Sequence, residues 1–298
     1  MNWYKENKNE WKNIIEVVSS EIKRTHLMIE KDIIQSMFLY ELSKSEIPFV
    51  FKGGTSLSKA YQVIDRFSED IDLSLPVKPT DREKKKSKEI ILGIAEKLGF
   101  ILDNEEEIKS RYDYNKYVFK YESLFTEIKP EIIVETSYYQ KVYPVVKHNI
   151  YTHVGLFCEQ KQIEFPIPFD AMNFEMNVQS MERTFIDKVF AICDYRIQNM
   201  FERDSRHLYD VAKIFPLIEI NEKFISLIRE VRCDRSHSRN NPSAQSKYDI
   251  NMMLDEIIQN RFFELDYNNL TQKLLYEEMN YDEAIKNGIS KIANLKIF

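Results

Sequence analysis

A chain of 298 residues with 43% hydrophobic and 30% charged residues holds enough apolar material for one large globular unit or two packed lobes, and two lobes is the expectation. Its formal net charge of -6 and pI near 5.6 repel polyanions overall, so contact with nucleic acid would need a local basic patch. The cysteines Cys158, Cys193 and Cys233 are too scattered for a disulfide framework or a close-paired zinc site. With a polar start and no apolar run of about 18 residues, the sequence reads as a soluble cytoplasmic protein with no membrane association.

From Glu10 to Ser43 apolar residues recur at helical spacing, which predicts two consecutive helices. Phe49-Val50-Phe51 reads as a buried strand running into Gly53-Gly54 and an amphipathic helix over Ser56 to Ile64. In the next strand Ile71, Leu73 and Leu75 alternate with Asp70, Asp72 and Ser74, so one face is apolar and the other carries carboxylates. A helix is expected over Thr80 to Leu98, and strands over Lys116 to Glu122 and Ile128 to Tyr138. After Phe165-Pro166-Ile167-Pro168, the linker candidate, long helical patterns follow: Ser180 to Asn199, Arg203 to Phe215, Asn221 to Val231, Asn251 to Phe263, and Tyr267 to the end. Arg235 to Ser246 reads as a mobile loop. The predicted architecture is an α/β (α+β) N-terminal lobe with a mixed sheet over 1–165 and a mainly α-helical C-terminal lobe over 166–298.

The informative block is Lys52-Gly53-Gly54-Thr55-Ser56, followed after thirteen residues by Asp70-Ile71-Asp72. Two glycines let the backbone approach a triphosphate, and amides and hydroxyls at the start of the next helix offer donors to anions. Asp70 and Asp72 project from the same strand face and can bind hard cations through oxygen. Such a pair suits two Mg²⁺ ions about 3.5–4 Å apart, one on the attacking hydroxyl and one on the phosphates. Glu135 in Ile132-Ile133-Val134-Glu135-Thr136 is the candidate third metal ligand, with Glu131 as alternative. A lone Gly-Gly is usually a turn and a lone Asp-x-Asp a solvated strand edge; their order and combination carry the reading.

Phe51-Lys52-Gly53-Gly54-Thr55-Ser56-Leu57-Ser58-Lys59-Ala60-Tyr61 and Arg66-Phe67-Ser68-Glu69-Asp70-Ile71-Asp72-Leu73 resemble the AbiEii/AbiGii nucleotidyltransferase toxin family, of the DNA polymerase β-like superfamily. Met181-Glu182-Arg183-Thr184-Phe185-Ile186-Asp187-Lys188 and Ser205-Arg206-His207-Leu208-Tyr209-Asp210 are similar to that family's later motifs. The resemblance covers roughly Glu30 to Ile214. It implies a nucleotidyltransferase that joins NMP from an NTP to an acceptor with Mg²⁺ or Mn²⁺ and releases pyrophosphate. The acceptor it favours is the tRNA 3′ end, which would stop translation, and it implies a separately encoded antitoxin. It also implies that Lys188 contacts the nucleotide phosphates and that Asp210 completes the active site from the helical lobe, as a base or by orienting Lys188.

Lys52, Gly53, Gly54, Thr55, Ser56, Lys59 and Arg206 join Lys188 as candidate nucleotide contacts. Polymerase-like relatives commonly have Gly-Ser where this chain has Gly54-Thr55-Ser56, so either hydroxyl could face phosphate. An antitoxin could act by phosphorylating Thr55 or Ser56, by direct binding, or by repression. The lysines at 84 to 88 and the arginines Arg229, Arg232, Arg235 and Arg239 could bind RNA phosphates, although charge runs are more often solvated faces. Tyr112, Tyr114 and Tyr117 read as packing. A protein or small-molecule hydroxyl as acceptor, or a nucleotide-binding regulator without turnover, are the alternatives.

Overall fold

The computed structural model describes residues 4, 6–68, 70–165 and 169–298, so Pro166 to Pro168 of the expected linker lie outside the described residues. Two compact units emerge, one formed by 1–60 and 69–178, the other by 61–68 and 179–298. The division falls after Val178, the last residue that pairs with the first strand of the sheet.

The first unit is built around a seven-stranded mixed sheet of order β3-β4-β5-β2-β1-β7-β6. Its strands are β1 (Val50–Lys52), β2 (Asp70–Ser74), β3 (Ile101–Leu102), β4 (Tyr114–Lys120), β5 (Glu131–Ser137), β6 (Val145–Tyr151) and β7 (Asn173–Gln179). β1 runs antiparallel to β2 and parallel to β7, whereas β2 and β5 are parallel and β4 and β5 antiparallel. Alternation marks the core face: Ile71, Tyr117, Phe119, Ile132 and Val134 are buried between more exposed neighbours, whereas Val50 with Phe51 and Leu73 with Ser74 are buried together.

Helices α1 (Lys8–Ile22), α2 (His26–Ser43), α3 (Gly53–Lys59), α4 (Asp81–Lys97) and α5 (His153–Lys161) complete this unit. Thr80 caps α4 in a capping box with Glu83. In α2 Phe38 meets Phe100 and Phe119 at ring-centroid distances of 6.4 and 5.8 Å. The helix is buried on most sides, polar residues included, and Glu30, fully buried, accepts from Tyr4 Oη, Ser123 Oγ and the Leu124 amide at 2.8, 2.6 and 2.7 Å.

The second unit is helical: α6 (Met181–Ile197), α7 (Arg206–Ile214), α8 (Glu222–Ser236), α9 (Ile250–Asn260), α10 (Tyr281–Asn287) and α11 (Ile289–Leu295). Residues 61–68 belong to it because their backbone is held there. The Asp65 amide donates to Tyr209 Oη at 2.9 Å, the Phe67 amide to the Leu274 carbonyl at 2.8 Å, and the Tyr276 amide to the Asp65 carbonyl at 3.0 Å.

Several expectations change. The helix predicted from Tyr267 to the end is broken by a π-helical turn at Tyr267–Thr271 and a non-helical stretch before α10. The Arg235 to Ser246 loop is anchored: Ser243 donates through its amide and hydroxyl to Asp194 at 2.8 and 2.6 Å. β6 and β7 escaped the sequence pattern; in β6 only Ile150 is buried, so edge position left little alternation to read. No helix among the described residues is long and apolar enough to cross a membrane.

Candidate active site

Strand register assembles the first cluster. Lys52 pairs with Asp72 across β1 and β2, Asp72 with Glu135 across β2 and β5, and Glu135 with Lys116 across β5 and β4. Paired residues share a face of the sheet. The result is a row, Lys52-Asp72-Glu135-Lys116, with two carboxylates between two ammonium groups, on the face opposite the buried core. Asp70 stands on that face two residues from Asp72, with Ile133 as its cross-strand partner. Glu131 instead pairs with Lys120, four residues along β5 from Glu135 and so about 13 Å away.

The turn after β1 fits closely against this row. Gly53 has φ +76°, and a Cβ there would fall 2.0 Å from Asp72 Oδ2 and 2.8 Å from its Cγ. Only glycine lets the Asp72 carboxylate lie against the turn. Thr55 and Ser56 are buried, Thr55 Oγ1 donating to the Asp70 carbonyl at 2.5 Å and Ser56 Oγ to the Gly53 carbonyl at 2.9 Å. Their hydroxyls thus shape the turn and brace β2. Lys59 points into the protein: its buried ammonium donates to the Asp32 carboxylate, to the Asp32 carbonyl at 2.9 Å and to Ser36 Oγ at 2.8 Å. Those three acceptors use all three ammonium hydrogens and tie α3 to α2. Asp32 also accepts from the His153 amide at 2.8 Å, where α5 starts.

Burial, with Asp72 and Asp70 beside it, pushes the Glu135 carboxyl above its ordinary range, against the pull of the Tyr114 hydroxyl and Lys116. Among the described residues no three histidine, cysteine, aspartate or glutamate side chains converge as a metal cage. Asp70, Asp72 and Glu135 offer only oxygen donors, the kind a hard divalent cation takes, and Asp72 and Asp70 push the Glu135 carboxyl up, a repulsion that a bound cation would offset.

In the second unit Asp210 of α7 is fully buried and accepts a fork from Arg66, Nε to Oδ1 at 2.6 Å and Nη2 to Oδ2 at 2.7 Å. Lys188 of α6 reaches the same Oδ2 at 2.6 Å. Burial opposes ionisation, but Arg66 and Lys188 outweigh it and hold the Asp210 carboxyl well below the usual carboxylate range. A carboxylate so held takes up no proton near neutral pH, so of the two roles expected for Asp210 the geometry favours orienting Lys188. Lys188 Nζ also lies 3.4 Å from His207 Nδ1, which is itself 3.9 Å from Asp210 Oδ2. Burial and the Lys188 charge push His207 down to about 4. Arg206 is half-exposed and paired with Asp204 at 3.0 Å.

Among the arginines proposed for RNA, Arg235 is buried, donating to Asp187 at 3.1 Å and Asp194 at 2.8 Å. Arg232 donates to the carbonyls of Ala244, Gln245 and Tyr248. Both are taken up in anchoring the loop after α8. Of the lysine run, Lys84 pairs with Asp113 and Lys86 with Glu46, each at 2.6 Å.

Sequence reasoning missed three residues. Arg66 carried no sign of a partner 144 positions away. Tyr114 and Lys116 lie on β4 in an alternating run, but only pairing with β5 shows that they flank Glu135.

Among solved structures, a candidate nucleotidyltransferase from H. pylori is 16% identical, with a TM-score of 0.52 and coverage of 92% of this chain and 96% of that one. MenT4, the nucleotidyltransferase toxin Rv2826c from Mycobacterium tuberculosis H37Rv, is 17% identical, with a TM-score of 0.50 and coverage of 95% and 97%. At these identities the likeness is one of fold. No curated protein matches the chain. The family model described as nucleotidyl transferase AbiEii toxin, Type IV TA system, matches residues 37–287, most of the sequence and both clusters just described, so the chain belongs to the AbiEii nucleotidyltransferase toxins of type IV toxin–antitoxin systems.

Proposed function

We propose that this toxin transfers a nucleotidyl group from an NTP to the 3′ end of tRNA, with Mg²⁺ or Mn²⁺, and so blocks translation. The observation that carries the chemistry is the in-register row of Lys52, Asp72 and Glu135, with Asp70 beside it and Gly53 leaving no room for a Cβ. Asp70, Asp72 and Glu135 would hold the metal. Bound there, Mg²⁺ or Mn²⁺ would offset phosphate charge and favour the alkoxide form of the attacking hydroxyl.

The acceptor oxygen forms a bond to the α-phosphorus as the bond from that phosphorus to the bridging oxygen breaks. Pyrophosphate departs with the electron pair, and the hydroxyl proton passes to solvent. Lys52, beside Asp72 and next to the Gly53 turn, contributes an ammonium group to the phosphates. For Lys188 we retain a part in binding the triphosphate, with Asp210 orienting it.

The cognate antitoxin implied by the family has no easy route through phosphorylation of Thr55 or Ser56 in this conformation, because both hydroxyls are buried and donate to backbone carbonyls. The transfer itself is tested by incubating the protein and its Asp72→Ala variant with Mg²⁺, total tRNA and each α-³²P-labelled NTP. Label on tRNA with the unaltered protein alone is expected; label on another acceptor would move the assignment away from tRNA.

A further inference from the structure

The carboxylates of the sheet face are flanked unequally. On one side stand Lys52 and the Gly53 turn, through which the backbone comes close to Asp72. On the other stand Lys116, exposed and directly opposite Glu135, and Tyr114, a residue 39% exposed whose hydroxyl donates toward Glu135. Lys52 and Lys116 are three strand spacings apart, about 14 Å. An in-line displacement needs such an arrangement, with the leaving phosphates on one side of the metal-binding carboxylates and the attacking group on the other.

We propose that Tyr114 and Lys116 form the acceptor subsite, which seats the last nucleotide of a single-stranded RNA end beside Glu135. The chemistry of the two side chains favours nucleic acid over a protein hydroxyl. A half-exposed aromatic ring offers a stacking surface for a base, and a lysine two positions along the same strand face offers a point charge for the adjoining phosphate. Lys120, farther along that face, is neutralised by Asp103 at 2.7 Å, so the charge available to a strand end is concentrated at Lys116. The subsite also answers how a chain with a net charge of -6 could hold a polyanion: locally, at one lysine and one ring, next to the carboxylates. The inference rests on the nucleotidyltransferase reading and adds the side from which the acceptor enters.

The experiment measures retention on filters of labelled total tRNA and of a single-stranded RNA 12-mer, with EDTA present and no NTP, across a salt series. It compares the unaltered protein with Lys116→Ala, Lys116→Arg and Tyr114→Ala. In parallel, binding of each labelled NTP in Mg²⁺ is followed by equilibrium dialysis, and melting curves confirm folding. Expected are a 5- to 20-fold loss of RNA affinity in Lys116→Ala and Tyr114→Ala, with NTP affinity within twofold of the unaltered protein. The salt slope should fall by about 0.7 in Lys116→Ala alone, and Lys116→Arg should restore it. RNA affinity and slope unaltered in both alanine variants would overturn the proposal, as would a loss confined to NTP binding. Failure of the unaltered protein to label tRNA would instead count against the tRNA reading, because RNA retention in EDTA is measured independently of transfer.

Discussion

Gly53 and Asp72 occupy space that only one of them can fill with a side chain: a Cβ at Gly53 would lie 2.0 Å from Asp72 Oδ2. Gly53→Ala must therefore push the carboxylate out of the row or open the turn, and φ +76° adds backbone strain of about 1 kcal/mol. We expect nucleotidyl transfer to fall at least 100-fold, close to the level of Asp72→Ala, while the protein still melts cooperatively. Activity within tenfold of the unaltered protein would show that the contact between turn and carboxylate is dispensable.

Glu135 sits where its charge is opposed. Its carboxyl is pushed up by burial and by Asp72 and Asp70, so the folded chain binds this proton more tightly than the unfolded one. The sign follows: the stability it contributes is present at low pH and is lost as pH rises through the raised value. Glu135→Gln should thus raise the Tm of the metal-free protein at neutral pH by a few degrees, abolish transfer, and reduce the further rise in Tm that Mg²⁺ gives. A lower Tm in Glu135→Gln would contradict the repulsion.

The Arg66–Asp210–Lys188 cluster allows two contacts to be tested apart. Asp210→Ala leaves Arg66 buried without its anion, which costs about 3–5 kcal/mol. Lys188→Met leaves the Arg66 fork intact and fills similar volume, so its unfolding midpoint in urea should stay far nearer that of the unaltered protein. If Lys188 serves the triphosphate, Lys188→Met nevertheless loses transfer and NTP affinity. Full activity in Lys188→Met would confine the lysine to packing.

His207 should make the protein sensitive to mild acid. Its folded value of about 4 lies below the ordinary 6.5, so as pH falls from 6.5 toward 4 the unfolded chain takes up a proton that the folded one refuses. Stability should drop by at most about 3 kcal/mol over that window. In His207→Gln that part of the pH dependence should vanish. Urea unfolding at pH 7, 5.5 and 4.5 reads the difference, and parallel curves for the two proteins would exclude His207 as the source.

Lys59 offers a further contrast. Its ammonium is spent on Asp32 and Ser36, so Lys59→Met should lower Tm through the stranded Asp32 carboxylate while leaving NTP affinity within twofold. A selective loss of NTP affinity at unaltered Tm would return Lys59 to the nucleotide.

What the sequence determined by itself is whatever depends on near neighbours along the chain. The alternation of Asp70 and Asp72 with Ile71 and Leu73 marked a strand with an acidic face, and Gly53-Gly54 marked a turn; β2 is that strand, and the chain turns at Gly53 with φ +76°. Helical spacing of apolar residues likewise located α1, α2, α4 and α6. Tertiary structure alone decided which distant residues meet. The choice of Glu135 over Glu131 rests on the register of β2 against β5, since both glutamates alternate correctly and only pairing sets which lies opposite Asp72. The use of Lys59, Thr55 and Ser56 inside the fold, the anchoring of Arg235, and the claim of Arg66 on Asp210 come from partners supplied by other elements. A charged side chain near a phosphate-binding motif has the same sequence signature whether it faces substrate or a buried carboxylate, and burial is a property of the packed chain.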